Sequence, residues 1–127
     1  MIKILNINDL DFESIVEKKW GREIILHNDE NYCGKILQFK SGSKFSMHYH
    51  LKKEETFYVN KGKLILNYID TNDATEYSRE LNIGDVIHIE QGDPHQIIAL
   101  EDSEIIEIST QHFDFDSYRI RKGDSQS

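Results

Sequence analysis

Cysteine occurs once in the chain, at Cys33, which excludes any intrachain disulfide. A chain without that staple fits a reducing compartment, and a cytoplasmic setting is expected. Long apolar runs are missing too, since none approaches the ~18 residues of a membrane-spanning helix. The opening residues, MIKILNINDLDF, lack the continuous apolar stretch and small-residue cleavage site of a signal peptide. Positive charge is scarce: 15 Lys and Arg stand against 23 Asp and Glu, for a net charge of −8. That balance argues against a nucleic-acid backbone or an anionic membrane surface as partner. It leaves room for a small anionic ligand, because local Lys or Arg can still line a pocket. No internal repeat and no low-complexity linker divides the 127 residues, so one domain with a single core is expected.

What the chain does contain is a rhythm of strands and turns. Residues 23–27, 32–40, 44–50, 54–60, 63–69, 75–81, 85–90, 95–100 and 104–110 read as strands, with turns at Ser41-Gly42-Ser43, Lys61-Gly62 and Gln91–Pro94. The segment 63–81 is a hairpin across the polar loop Asp70-Thr71-Asn72-Asp73. Roughly nine short strands at near-regular spacing indicate an all-β sandwich or barrel. Phe57, Val59, Leu64, Leu66, Val86, Ile89, Ile97, Ile105 and Ile108 are the expected core. Phe45, Tyr49, Tyr58 and Tyr68 are read as packing or a dimer face before a pocket lining. Ahead of the barrel, Ile2, Ile4 and Leu5 suggest an edge strand or arm. Residues 9–19 suggest one or two amphipathic helical turns capped by Asp9. Residues 123–127 are expected to fray.

Chemistry concentrates in two stretches. In Gly42–Gly62, His48 and His50 are two residues apart, so on a strand both imidazoles point to one face, and Glu55 follows at the start of the next strand. In Gly84–His95 another histidine, His95, stands just past a Gly-Asp-Pro turn. Singly, a strand-end His or a Glu in a Glu54-Glu55 pair is more often solvated than ligating. Together, three imidazoles and one carboxylate suit a divalent transition metal such as Mn, Fe, Co, Ni or Zn.

The pattern Gly-x5-His-x-His-x4-Glu-x6-Gly, followed by a Gly…Gly-x2-His segment, resembles the paired motifs of the cupin superfamily. The resemblance implies a cupin jelly-roll β-barrel, with an N-terminal arm over 1–22, the barrel over 23–110 and a tail over 111–127. Further runs resemble the type II mannose-6-phosphate isomerase cupin domains. They are Val16-Glu17-Lys18-Lys19-Trp20-Gly21, Lys35-Ile36-Leu37 with Phe45-Ser46-Met47, Ile106–Thr110, and Asp116-Ser117-Tyr118-Arg119. That family usually has Gln where this chain has His48, and Arg where it has Lys53; Glu90 stands where the second motif prefers Pro.

The resemblance implies sugar-phosphate chemistry, most concretely an aldose–ketose isomerase whose metal site, His48, His50, Glu55 and His95, leaves positions for substrate oxygens. Moving a proton beside a carbonyl needs a base near neutral pKa. His88, at a position that commonly faces the barrel interior in cupins, is the first candidate and Glu107 the second. Lys53, Arg119 and Arg121 are candidates to hold a phosphate. His27 and His112 carry no spacing signal and are expected to be exposed. The alternatives are a metal-dependent dioxygenase using the same four ligands, and a non-catalytic sugar-binding or regulatory module. A homodimer paired through sheet edges is also expected.

Overall fold

The computed structural model describes residues 1–127. Eleven strands follow in order: β1 Ile15–Lys18, β2 Gly21–Asn28, β3 Cys33–Phe39, β4 Met47–Tyr49, β5 Glu55–Lys61, β6 Lys63–Asp70, β7 Thr75–Asn82, β8 Val86–Ile89, β9 His95–Ala99, β10 Ser103–Ser109 and β11 Tyr118–Arg121. Helix is limited to three 3-10 turns, Ile7–Asp9, Phe12–Ser14 and Asp124–Gln126. The strands form two antiparallel sheets that face each other, one in the order β1-β2-β3-β10-β5-β8 and the other β11-β4-β9-β6-β7. The all-β jelly-roll reading of the sequence describes this chain.

Alternation along the three central strands of the larger sheet divides the interior in two. Leu37 and Phe39 of β3, Ile105 of β10 and Val59 of β5 are buried and join Leu64, Leu66, Ile97 and Ala99 from the facing sheet in an apolar core. Further along the same inward faces stand Lys35, Glu107, Ser109 and Glu55, which are buried as well. Lys35 is registered with Glu107 across β3 and β10, and Ser109 with Glu55 across β10 and β5. Burying polar groups is costly unless they are paired. Half of the barrel is therefore a packed core and the other half a polar chamber.

The structure corrects several local expectations. Residues 9–19 hold no α-helix: after the 3-10 turn Phe12–Ser14 the chain enters β1, whose pairing with β2 from Ile15↔Ile24 to Lys18↔Gly21 outweighs the weak helical periodicity. Ile2, Ile4 and Leu5 form no strand and stand 71–89% exposed. Val86 and Ile108 face outward, because Ile87 and Ile89, and Ile105 and Glu107, take the inward positions of their strands. Residues 123–127 are pinned rather than frayed: the Lys44 amide donates to Asp124 Oδ2 at 2.9 Å, and the Asp124 amide to the Lys44 carbonyl at 3.0 Å.

Candidate metal centre

His48 and His95 face each other across β4 and β9, with ring centroids 4.8 Å apart. His50 lies just past β4 on the same side, its ring 5.0 Å from His48 and 5.6 Å from His95. Glu55 comes from the opposite sheet, at the first position of β5. Its Oε2 lies 3.3 Å from Nε2 of both His50 and His95. One ring nitrogen from each of the three histidines falls within 4.8 Å of the others.

Backbone carbonyls set the orientation of each ring. Nδ1 of His48 meets Ser46 O at 2.8 Å, Nδ1 of His50 meets Asp116 O at 2.6 Å, and Nδ1 of His95 meets Asp93 O at 2.9 Å. A carbonyl can only accept, so each Nδ1 carries the proton and each Nε2 keeps its lone pair. This is the tautomer a metal requires. Burial, then the His95 and His50 rings, hold His48 well below its usual pKa, and burial and Lys53 lower His50. Both are therefore neutral ligands at neutral pH. Burial alone would raise the Glu55 carboxyl, but the Lys53 ammonium, 3.5 Å from its Oε1, acts to lower it, and the carboxyl stays below the usual carboxylate range.

Glu55 Oε2 and His95 Nε2 are buried with no hydrogen-bond partner, their 3.3 Å approach lacking hydrogen-bond alignment. Leaving such groups unpaired costs about 1–3 kcal/mol each. A divalent ion accepting both lone pairs removes that cost, and three neutral imidazoles with one carboxylate are the donors such an ion prefers. The residues fit a divalent transition metal.

A cavity of about 480 Å³ opens onto these ligands, with Trp20, Phe45 and Phe57 among its apolar lining. A second charged cluster occupies its wall. Lys53 Nζ donates to Glu107 Oε2 at 3.2 Å and to His112 Nδ1 at 3.1 Å, and stands 3.5 Å from Glu55 Oε1. Ser109 Oγ donates to Glu107 Oε2 at 2.9 Å. Burial and then Glu55 raise the Glu107 carboxyl, with Lys53 and Lys35 opposing. Burial would lower Lys53, but Glu107 and Glu55 more than offset it and keep the ammonium charged.

The remaining sequence candidates separate clearly. Arg119 lines the cavity, registered with His48 across β11 and β4. Arg121 lies elsewhere, in a two-bond contact with Glu76 at 3.0 and 2.9 Å. His88 is exposed on the outer face of β8, where Thr56 Oγ1 approaches its Nδ1 at 2.9 Å, because Ile87 and Ile89 take the inward positions. It is absent from the cavity and cannot serve there as a base.

Three residues of the site escaped the sequence reading. Asp116, buried, accepts the backbone amides of Leu51, Lys52 and Lys53 through its carboxylate, while its carbonyl orients His50. His112, expected to be exposed, lines the cavity against Lys53; burial, with Lys35 and Lys53, lowers it to about 4. Lys35 is almost fully buried in the same wall. Asp116 and Lys35 stand in runs that carry the family resemblance, though with no role attached to either; His112 has no such signal.

Among solved structures the chain is similar to the capsular polysaccharide assembling protein CapF from Staphylococcus aureus, at 22% identity and a TM-score of 0.71, over 84% of this chain and 32% of that one. It is also similar to oxalate decarboxylase from Bacillus subtilis, at 19% identity and a TM-score of 0.78, over 91% of this chain and 31% of that one. A further structure of the Bacillus subtilis oxalate decarboxylase, concerned with its Mn(II) centres, matches at 19% identity and a TM-score of 0.76, over 91% of this chain and 32% of that one. This chain thus spans about a third of each of those proteins, and at such identities the likeness establishes the fold alone. No curated protein matches the chain. The Cupin family model matches residues 28–117, from the end of β2 to the threshold of β11. With the two-sheet barrel and the His48, His50 and His95 cluster in its chamber, the chain belongs to the cupin family.

Proposed function

We propose that the protein is a metal-dependent enzyme acting on a small anionic, oxygen-rich molecule, most specifically an aldose–ketose isomerase of a sugar phosphate. The observation that carries this reading is Glu107, a buried carboxyl raised above its usual pKa in the wall of the cavity that holds the metal ligands. A divalent ion held by His48, His50, Glu55 and His95 supplies Lewis acidity toward carbonyl and hydroxyl oxygens.

The rest falls to the chain's own side chains. Both hydrogen bonds to Glu107 go to Oε2, so Oε1 is the oxygen left to take and return a proton. Lys53 holds that carboxylate in place, and its three contacts with Glu107, His112 and Glu55 remove it from the phosphate-binding candidates. Arg121 is committed to Glu76. Arg119, exposed on the cavity side of β11, has no ion-pair partner and is suited to drawing an anion in. Trp20, Phe45 and Phe57 restrict water around the reacting carbon. The similarity to CapF, a capsular polysaccharide assembling protein, supports a carbohydrate ligand, and the oxalate decarboxylase likeness supports a small anion.

The test is solvent exchange. Metal-loaded protein incubated with hexose and pentose phosphates in deuterated water should place deuterium beside the carbonyl. Glu107→Gln should lower the rate by roughly 10²-fold or more while metal content stays intact. A panel giving no exchange, alongside oxygen uptake with another substrate, would replace this reading with a dioxygenase. The same proposal includes a homodimer, supported by the exposed Ile2, Ile4 and Leu5; a monomer mass by light scattering would remove it.

A further inference from the structure

Two lysines are buried in the cavity wall, and they differ in one respect. Lys53 Nζ has three partners within 3.5 Å, as many as an ammonium has hydrogens. Lys35, 1% exposed and on the same wall, has one: Glu23 Oε1 at 3.3 Å. A buried ammonium is expensive to desolvate, and a single carboxylate at that distance leaves two of its donors unused. Glu23 is moreover shared, since Lys18 Nζ stands 3.9 Å from its other oxygen.

Register fixes where the backbone of Lys35 sits. Lys35 on β3 is the direct neighbour of Glu107 on β10, and Glu107 in turn neighbours Phe57 on β5, the strand that carries Glu55. Two strand spacings of about 4.8 Å place the backbone of Lys35 roughly 10 Å from β5. The ammonium is turned to Glu23 on β2, which flanks β3 on the side away from β5, so a ligand held there bridges from that side of the wall to the metal centre. Three ammonium groups, Lys18, Lys35 and Lys53, share this wall with three carboxylates, Glu23, Glu107 and Glu55; Lys53 engages both Glu107 and Glu55, which leaves Lys35 with Glu23 alone, while Glu13 and Asp114 stand exposed at the rim. Burial and the nearby lysines keep His112 neutral.

We propose that Lys35 forms an anion subsite, which receives the carboxylate or phosphate of a small ligand whose other end reaches the His48, His50, Glu55 and His95 centre. The inference rests on the small-molecule reading of this cavity and adds the requirement that the ligand be anionic at the end away from the metal centre. Arg119, on the opposite sheet and exposed, steers; Lys35, buried, grips. A purely structural Lys35–Glu23 pair would instead affect stability and leave anion binding unchanged.

Trp20 is the only tryptophan and stands buried in the wall of the same cavity, so its fluorescence reports on occupancy. Metal-loaded protein is titrated with inorganic phosphate and, separately, with acetate; the preferred anion identifies the ligand group. Lys35→Met keeps the side-chain length, removes the charge, and should weaken binding of the preferred anion by roughly tenfold or more, with metal content unchanged. Lys35→Arg should restore most of it. Should Lys35→Met fail to fold, Glu23→Gln, which removes the negative charge of the ammonium's one protein partner, should tighten binding. Wild-type affinity in Lys35→Met, or an unchanged or weaker affinity in Glu23→Gln, overturns the subsite. So does a wild-type protein that saturates with neither anion up to roughly 50 mM. Loss of anion binding in Lys35→Met without deuterium exchange from any sugar phosphate would sink the isomerase and leave the subsite standing. Exchange with an unchanged KM in Lys35→Met would do the reverse.

Discussion

Asp116 does two jobs with one residue. Its carboxylate accepts the amides of Leu51, Lys52 and Lys53, and burial, which would raise it, is outweighed by those amides, so it stays below its ordinary pKa. Its carbonyl fixes the His50 tautomer. Asp116→Ala leaves the carbonyl in place but frees the loop that positions it. The variant should lose about 1–3 kcal/mol of stability. Its metal affinity should fall roughly tenfold, in the lower part of the range for residues that orient a ligand. Chemical denaturation and metal titration read the two effects separately; an unchanged affinity would mean that the loop holds itself. The four candidate ligands are legible in the sequence because each has a local signal, two on one strand face, one after a turn, one at a strand start. Lys35, Asp116 and His112 are not, because they reach the site through register with strands far away in the chain. His88 faces outward against expectation because parity along a run gives two faces without saying which is inside.

Among the elements, β5 joins the two halves of the barrel. Glu55 at its start lies against His50 and His95, and Val59 near its end sits in the apolar core. The turn that follows depends on Gly62, whose φ of +88° favours glycine. A Cβ there would lie 2.1 Å from Ser103 Oγ and 2.6 Å from the Asp102 carbonyl oxygen. Gly62→Ala should therefore cost about 2–3 kcal/mol through strain and overpacking. Because the clash lies at the far end of β5 from Glu55, metal stoichiometry in the cold should be preserved. A variant as stable as the wild type would show that the hairpin yields easily. The turn glycine stood out in the sequence as part of the spacing pattern, but its collision partner on the loop before β10 did not. Strand alternation was readable in β3 and β5. It was ambiguous in β10, where Ile105, Ile106 and Ile108 offer both parities, and only pairing with β3 and β5 decides that Ile108 faces out.

At the scale of the whole molecule, acid should unfold the protein through its neutral histidines. His112 is lowered to about 4 by burial with Lys35 and Lys53, and burial lowers His48 and His50 as well. An unfolded histidine titrates near 6.5, so between that value and the folded one the unfolded chain binds more protons. The contribution of these groups is fully present above about pH 6.5 and is lost as pH falls toward 4. Metal adds to stability with the same sign, because protons compete for the imidazoles. Melting curves with and without chelator should show both falling between pH 7 and pH 5, with the gap between them narrowing. A stability that rises on acidification across that window would contradict the placement of His112 and the ligands. No helix is long and apolar enough to cross a membrane.

Elemental analysis of protein purified without an affinity tag tests the metal centre. His48, His50, Glu55 and His95 should hold about one divalent transition-metal ion per chain, with His50→Ala losing most of the occupancy and His88→Ala none of it. A His50→Ala protein carrying a full complement of metal, or a wild-type protein that takes up none when loaded at neutral pH, would contradict the account.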